Sequence, residues 1–138
     1  MAEEVVVKDQ LTESMVATGM ALTEQLVRAD LDVVCALWFY DMESNQWRFL
    51  VASPRVDSDG PLRVYEIVQD VLKRPALKAS GLKLQNISAI PPSHPVVKAI
   101  RSMFKNQAGF TNIRFSRSMI NNVLIEDSHI IFLKQDST

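Results

Sequence analysis

The longest unbroken run of apolar side chains covers residues 33–40 and predicts a buried strand. The run is rich in β-branched and aromatic residues and lacks polar alternation, as expected of a strand covered on both faces. A polar turn over 43–46 follows, and residues 47–53 then alternate between two faces as a second strand. We therefore predict an antiparallel hairpin in which Trp38 and Trp47 form a cross-strand pair or, less readily, a stacking platform for a ligand.

Apolar residues recur at helical spacing in three other segments, which predict three helices. These are residues 9–29, residues 61–74 and a helix that is capped near His94 and ends before Gly109. Gly19 lies in the middle of the first helix, where glycine lowers helix stability. We therefore expect a close backbone contact at Gly19, either in the core or in a dimer seam.

The remaining strand signals complete the predicted architecture. They cover residues 82–91, 111–117, 122–126 and 129–135, with a tight Asp127–Ser128 turn between the last two. The element order is α-β-β-α-β-α-β-β-β, with antiparallel meanders at both ends. This order predicts an α+β fold: a mixed, mostly antiparallel sheet of five to six strands, with three helices on one or both faces.

Length and composition predict a single domain over 1–138. A chain of 138 residues suits one core, and it contains no repeat or linker-like segment. We expect residues 1–8 to form a flexible or loosely packed N-terminus and 136–138 to form a tail. The apolar run is too short to span a bilayer, the N-terminus does not resemble a secretory signal, and the lone cysteine, Cys35, suits a reducing compartment. We therefore expect a cytoplasmic protein with no membrane partner.

Charge is distributed very unevenly along the chain. Between Asp70 and Glu126 there is no acidic residue but nine basic ones, whereas residues 1–70 carry thirteen acids and five bases. The net charge of −1 conceals this polarity. Such asymmetry indicates either an anionic partner or charge-complementary self-association.

The basic segment 71–125 supplies the candidate site. Three cations of the third predicted helix share one face at spacings of three and seven residues, and two arginines lie on the next predicted strand. A histidine at the helix start could add a switchable charge beside free amide donors. The candidates for binding an anion or nucleic acid are His94, Lys98, Arg101, Lys105, Arg114 and Arg117. Alternatively, these cations form only a solvated helix face, or pair with acids of the first 70 residues.

No catalytic, metal-binding or cofactor-binding motif occurs in the chain. It lacks the Gly-x-Ser-x-Gly nucleophile turn and both glycine-rich phosphate-binding patterns, and its two histidines have no zinc-ligand spacing. The acidic loop 57–60 offers too few ligands for calcium. We therefore predict no catalytic residue, no metal site and no cofactor.

Three functional hypotheses follow from the sequence. The first is a small, non-enzymatic module that binds an anionic partner, nucleic acid or acidic protein, through residues 71–125. The second is a self-associating accessory protein without a ligand, in which the acidic half of one copy meets the basic half of another. The third and least favoured is a small hydrolase that uses Asp57, Asp59 or His94.

Overall fold

A computed structural model of the protein describes residues 10–135. The helices are α1 (Glu13–Arg28), α2 (Arg55–Ser58), α3 (Pro61–Leu72), α4 (Pro75–Lys78) and α5 (Pro95–Met103), with a 3₁₀ turn over Leu84–Asn86. The strands are β1 (Cys35–Asp41), β2 (Gln46–Ala52), β3 (Ile87–Ile90), β4 (Gly109–Ile120) and β5 (Val123–Leu133). The expectations for 1–8 and 136–138 concern residues outside the described range.

The five strands form one mixed sheet in the order β3-β2-β1-β5-β4. Only β2 and β3 are parallel, and every other neighbouring pair is antiparallel. The predicted α+β class and mostly antiparallel sheet are therefore confirmed. Two of the helices, α2 and α4, have only four residues each and were not predicted, because so short a segment shows no helical period.

Helices cover both faces of the sheet. On one face, here called the α1 face, Trp38 and Phe49 pack with buried residues of α1, α3 and α4. On the other, here called the α5 face, Cys35 and Leu37 pack with Ile100 of α5 and with residues of β5. Successive residues of β1 thus enter two separate clusters, which is why the 33–40 run has no polar alternation.

The first hairpin confirms the predicted strands but not the predicted tryptophan pair. Trp38 lies opposite Phe49, and Tyr40 lies opposite Trp47. Both pairs are edge-to-face, with ring centroids 5.1 and 5.5 Å apart. The prediction was wrong because Asp41 pairs with Gln46, which sets the register so that the two tryptophans are offset.

Gly19 brings α1 close to the two central strands. A Cβ atom at this position would lie 2.8 Å from the Phe49 ring and 2.8 Å from the Trp38 indole nitrogen. The same indole N–H donates a hydrogen bond of 2.9 Å to the carbonyl oxygen of Met15. The predicted close contact is therefore confirmed, and it is made within the core.

The chain reverses after β4 at Asn121–Asn122, within the predicted break between residues 117 and 122, and the second predicted turn, at Asp127–Ser128, does not form. Both asparagines adopt left-handed backbone angles, with φ of 51° and 64°, as a tight two-residue hairpin turn requires. Asp127 and Ser128 instead lie buried in the middle of β5. The predicted strands 122–126 and 129–135 are consequently one strand, and the sheet has five strands.

Candidate anion-binding surface

His94 caps α5, as predicted from the proline that follows it. Its Nδ1 accepts a hydrogen bond of 3.2 Å from the backbone N–H of Val96, and Pro95 occupies the first turn. This bond requires an unprotonated Nδ1. Partial burial also lowers the pKa of His94. His94 therefore positions the helix and adds no positive charge to it near neutral pH.

The outer side of α5 and the turn after it present exposed lysines. Val96, Val97 and Ile100 face the core, whereas Lys98 and Lys105 are exposed. Lys105 lies two residues beyond the end of the helix. Neither lysine forms an ion pair with any residue in the described range, so both charges face solvent.

Arg101 is only partly exposed and lies close enough to influence Cys35. Burial raises the pKa of the Cys35 thiol to about 12, and the positive charge of Arg101 opposes this only in part. The thiol is therefore protonated at physiological pH and is a small apolar core residue rather than a nucleophile.

Arg114 lies on the opposite side of the sheet from α5. Its Nε and Nη2 donate hydrogen bonds of 2.8 and 2.7 Å to the two carboxylate oxygens of Asp127. The guanidinium also stacks over the Trp47 ring, 5.4 Å from the centroid, and so belongs to the α1 face. Its charge is compensated, and the sheet separates it from Lys98 and Lys105.

The other predicted cations are also dispersed. The Nε atom of Arg117 lies 3.9 Å from a carboxylate oxygen of Glu126. The Nη1 atom of Arg74 donates a hydrogen bond of 2.8 Å to the side-chain oxygen of Gln25 on α1. Lys73 and Lys78 are exposed on the α3–α4 segment, which packs on the α1 face. The basic segment 71–125 is thus divided between the two sides of the sheet, with Lys73, Arg74 and Lys78 on the α3–α4 segment and Lys98, Arg101 and Lys105 in the α5 region.

A polar cluster on β4 and β5 was not recognised in the sequence. Beside the Arg114–Asp127 pair, His129 Nε2 contacts the side-chain oxygen of Asn112. In the sheet, His129 lies between Arg114 on β4 and the buried Trp38 on β1, two residues after the buried Asp127. The extra turn predicted at Asp127–Ser128 hid this cluster, because it separated Asp127 from His129, which lie on one continuous strand.

The aromatic residues of the first hairpin offer little surface for stacking. Trp38 is 3% exposed and Trp47 is 7% exposed. A groove of about 210 Å³ lies beside them, between the first turns of α1 and the loop 80–86. Its described lining includes hydroxyl and amide side chains but no acid, base or histidine, so it shows no catalytic constellation.

Two of the three residues named for the hydrolase hypothesis, Asp59 and His94, make structural contacts. Asp59 accepts a hydrogen bond of 2.6 Å from Arg55, which lowers the pKa of its carboxyl group. Within residues 10–135, no group of three or more His, Cys, Asp or Glu side chains could hold a metal ion.

Comparison with known proteins supplies no identity. No protein family model matches this chain, and neither a curated protein nor a solved structure matches it. None of the helices in the described range is long and apolar enough to cross a lipid bilayer. The exposed charges and side-chain contacts described above are therefore the only basis for proposing a function.

Proposed function

We propose that this protein is a small cytoplasmic, non-enzymatic module that binds an anionic partner through the outer side of α5. We call this the α5 surface and define it by His94, Lys98, Arg101 and Lys105. The observation that carries the proposal is the exposure of Lys98 and Lys105 without an acidic partner among the described residues. No acid occurs between Asp70 and Glu126 to neutralise them locally.

The α5 surface is smaller than the basic segment from which it was predicted. Arg114 and Arg117 are held by Asp127 and Glu126, so they do not extend it. Two or three cations imply two or three phosphate contacts at most, and hence weak, salt-sensitive binding. Since log K falls by about 0.7–0.9 per neutralised phosphate for each unit of log[salt], we expect a slope of about −1.4 to −2.7.

Nucleic acid is the first anionic partner to test. We expect labelled single- and double-stranded oligonucleotides to show a salt-dependent rise in fluorescence anisotropy with the full chain. Changing Lys98 and Lys105 together to glutamine should weaken binding and reduce the magnitude of the salt slope by about 1.5–2, because two phosphate contacts are lost.

The matched control changes Lys73 and Lys78 together to glutamine, which removes the same charge from the α3–α4 segment. This variant should keep its binding, and both variants should keep the wild-type melting temperature. An equal loss in the control would show that net charge alone matters. If oligonucleotides fail to bind at low salt while polyglutamate binds through Lys98 and Lys105, the partner is an acidic protein; binding of neither polymer contradicts the proposal.

The outer edge of β4 favours self-association as a second candidate function. β4 is a twelve-residue edge strand, and its Phe110 and Met119 are 45% and 66% exposed. Edge strands of this length readily pair with another strand. Arg114 is paired with Asp127, and the exposed Arg117 lies beside Glu126, so acids of β5 reduce the charge repulsion that would oppose pairing with a second copy.

Sedimentation equilibrium at micromolar concentration tests this second candidate. We expect a dimer that changing Met119 to lysine converts to a monomer, because a new charge then enters the pairing edge. Changing the exposed Leu62 of α3 to lysine is the control and should leave the dimer intact. A strictly monomeric wild-type protein would eliminate self-association.

A further inference from the structure

His129 is a buried side chain with an incomplete set of hydrogen bonds. It is 9% exposed, and its Nδ1 has no hydrogen-bond partner among the described residues. Its Nε2 contacts the side-chain oxygen of Asn112 on β4. Since that oxygen can only accept, Nε2 carries the proton, and Nδ1 holds a lone pair in a neutral ring.

The charges around His129 disfavour a second proton. The described groups that act on its charge are Arg114 from β4 and Asp127 from its own strand, while the residue opposite on β1 is the uncharged Trp38. Both oxygens of Asp127 are already bound to Arg114. A proton on Nδ1 would therefore place an unsatisfied N–H in the interior, near the Arg114 guanidinium.

We propose that His129 is a proton-sensitive link that holds β4 to the sheet while it is neutral and loosens the strand when it is protonated. β4 is the strand to yield, because it is at the edge and supplies both Asn112 and Arg114. β1 and β2 pair with neighbours on both sides and should remain closed.

The pH range of this effect follows from the linkage between protonation and opening. Burial first, and then the charge of Arg114, lower the pKa of His129 below its ordinary value, and Asp127 only partly offsets this. In the open state the side chain regains an ordinary pKa of about 6.5. Above that pH both states are neutral and the link is intact. As the pH falls below about 6.5, the open state binds the proton before the closed state does. The free energy that keeps β4 closed therefore decreases.

Hydrogen exchange at pH 7.5 and 5.5, corrected for the intrinsic exchange rates, tests the proposal. We expect the protection of β4 amides to fall by up to about tenfold, because an open state with a pKa of about 6.5 is about nine-tenths protonated at pH 5.5 while the closed state binds the proton less readily. β1 and β2 should show a much smaller change. A His129→Gln variant should lose the response, whereas a His94→Gln variant should keep it, although the pKa of His94 is also lowered.

Titration of the His129 ring by NMR in the wild-type protein provides a test that needs no variant. The His129 resonance should titrate below pH 6.5. A His129 that titrates at or above pH 6.5 would overturn the proposal, as would an unchanged protection of β4 or an equal loss of protection in β1 and β2. These readouts do not involve the α5 surface, so they are independent of oligonucleotide binding.

Discussion

Replacing Phe49 by alanine is expected to lower the free energy of unfolding by about 3–5 kcal/mol. Phe49 is fully buried at the centre of β2 and packs edge-to-face against Trp38. It also contacts the backbone of α1 at Gly19, so its removal leaves a cavity between the sheet and the helix. β2 itself and its neighbour β1 are paired on both sides, which limits their collapse into that space.

Urea denaturation followed by circular dichroism measures the effect of this substitution. The matched control is Phe110→Ala, the same chemical change at a ring that is 45% exposed. Its effect should be much smaller, since less apolar area is lost from the interior. If the two substitutions lowered the free energy of unfolding equally, this would contradict the position assigned to β2 in the core.

The second large effect is expected from Gly19→Ala. In an ordinary helix interior this change stabilises by about 1 kcal/mol, because alanine is the better helix former. Here the new methyl group would lie 2.8 Å from the Phe49 ring and 2.8 Å from the Trp38 indole nitrogen. The indole cannot move freely, because its N–H is bonded to Met15. We expect net destabilisation of about 1–3 kcal/mol, typical of an overfilled core.

Ala17→Gly supplies the control for Gly19→Ala on the same helix. Ala17 is exposed, so glycine there should cost about 1 kcal/mol through helix propensity alone. Thermal unfolding should therefore show a lower melting temperature for both variants, although one replaces glycine by alanine and the other replaces alanine by glycine. A stabilised Gly19→Ala protein would show that α1 does not approach the sheet as closely as described.

The fold was largely predictable because its signals are local. The run at 33–40, the glycine and proline around position 60, and the proline after His94 each identify an element or its boundary. The Asn121–Asn122 turn was equally visible in principle, since asparagine tolerates left-handed angles. The predicted break between residues 117 and 122 covers this turn, but the additional turn predicted at Asp127–Ser128 split β5 into two strands.

The candidate site was less predictable, because it depends on which side chains face each other across the sheet. Sequence spacing correctly placed His94 at the start of a helix and Lys98 on its outer side. Spacing could not show that Arg114 lies on the other face of the sheet, bound to Asp127. Nor could it reveal the unpartnered nitrogen of His129.

The amino-acid sequence by itself determined the α+β class, the first hairpin, the helix boundaries near proline and the uneven distribution of charge. These features follow from periodicity and backbone preference, which act over a few residues. The tertiary structure alone decided which cations remain exposed and which acids compensate the others. Ion pairing and burial depend on distances between residues far apart in the chain, and only the packing of α5 and the β4–β5 hairpin establishes those distances.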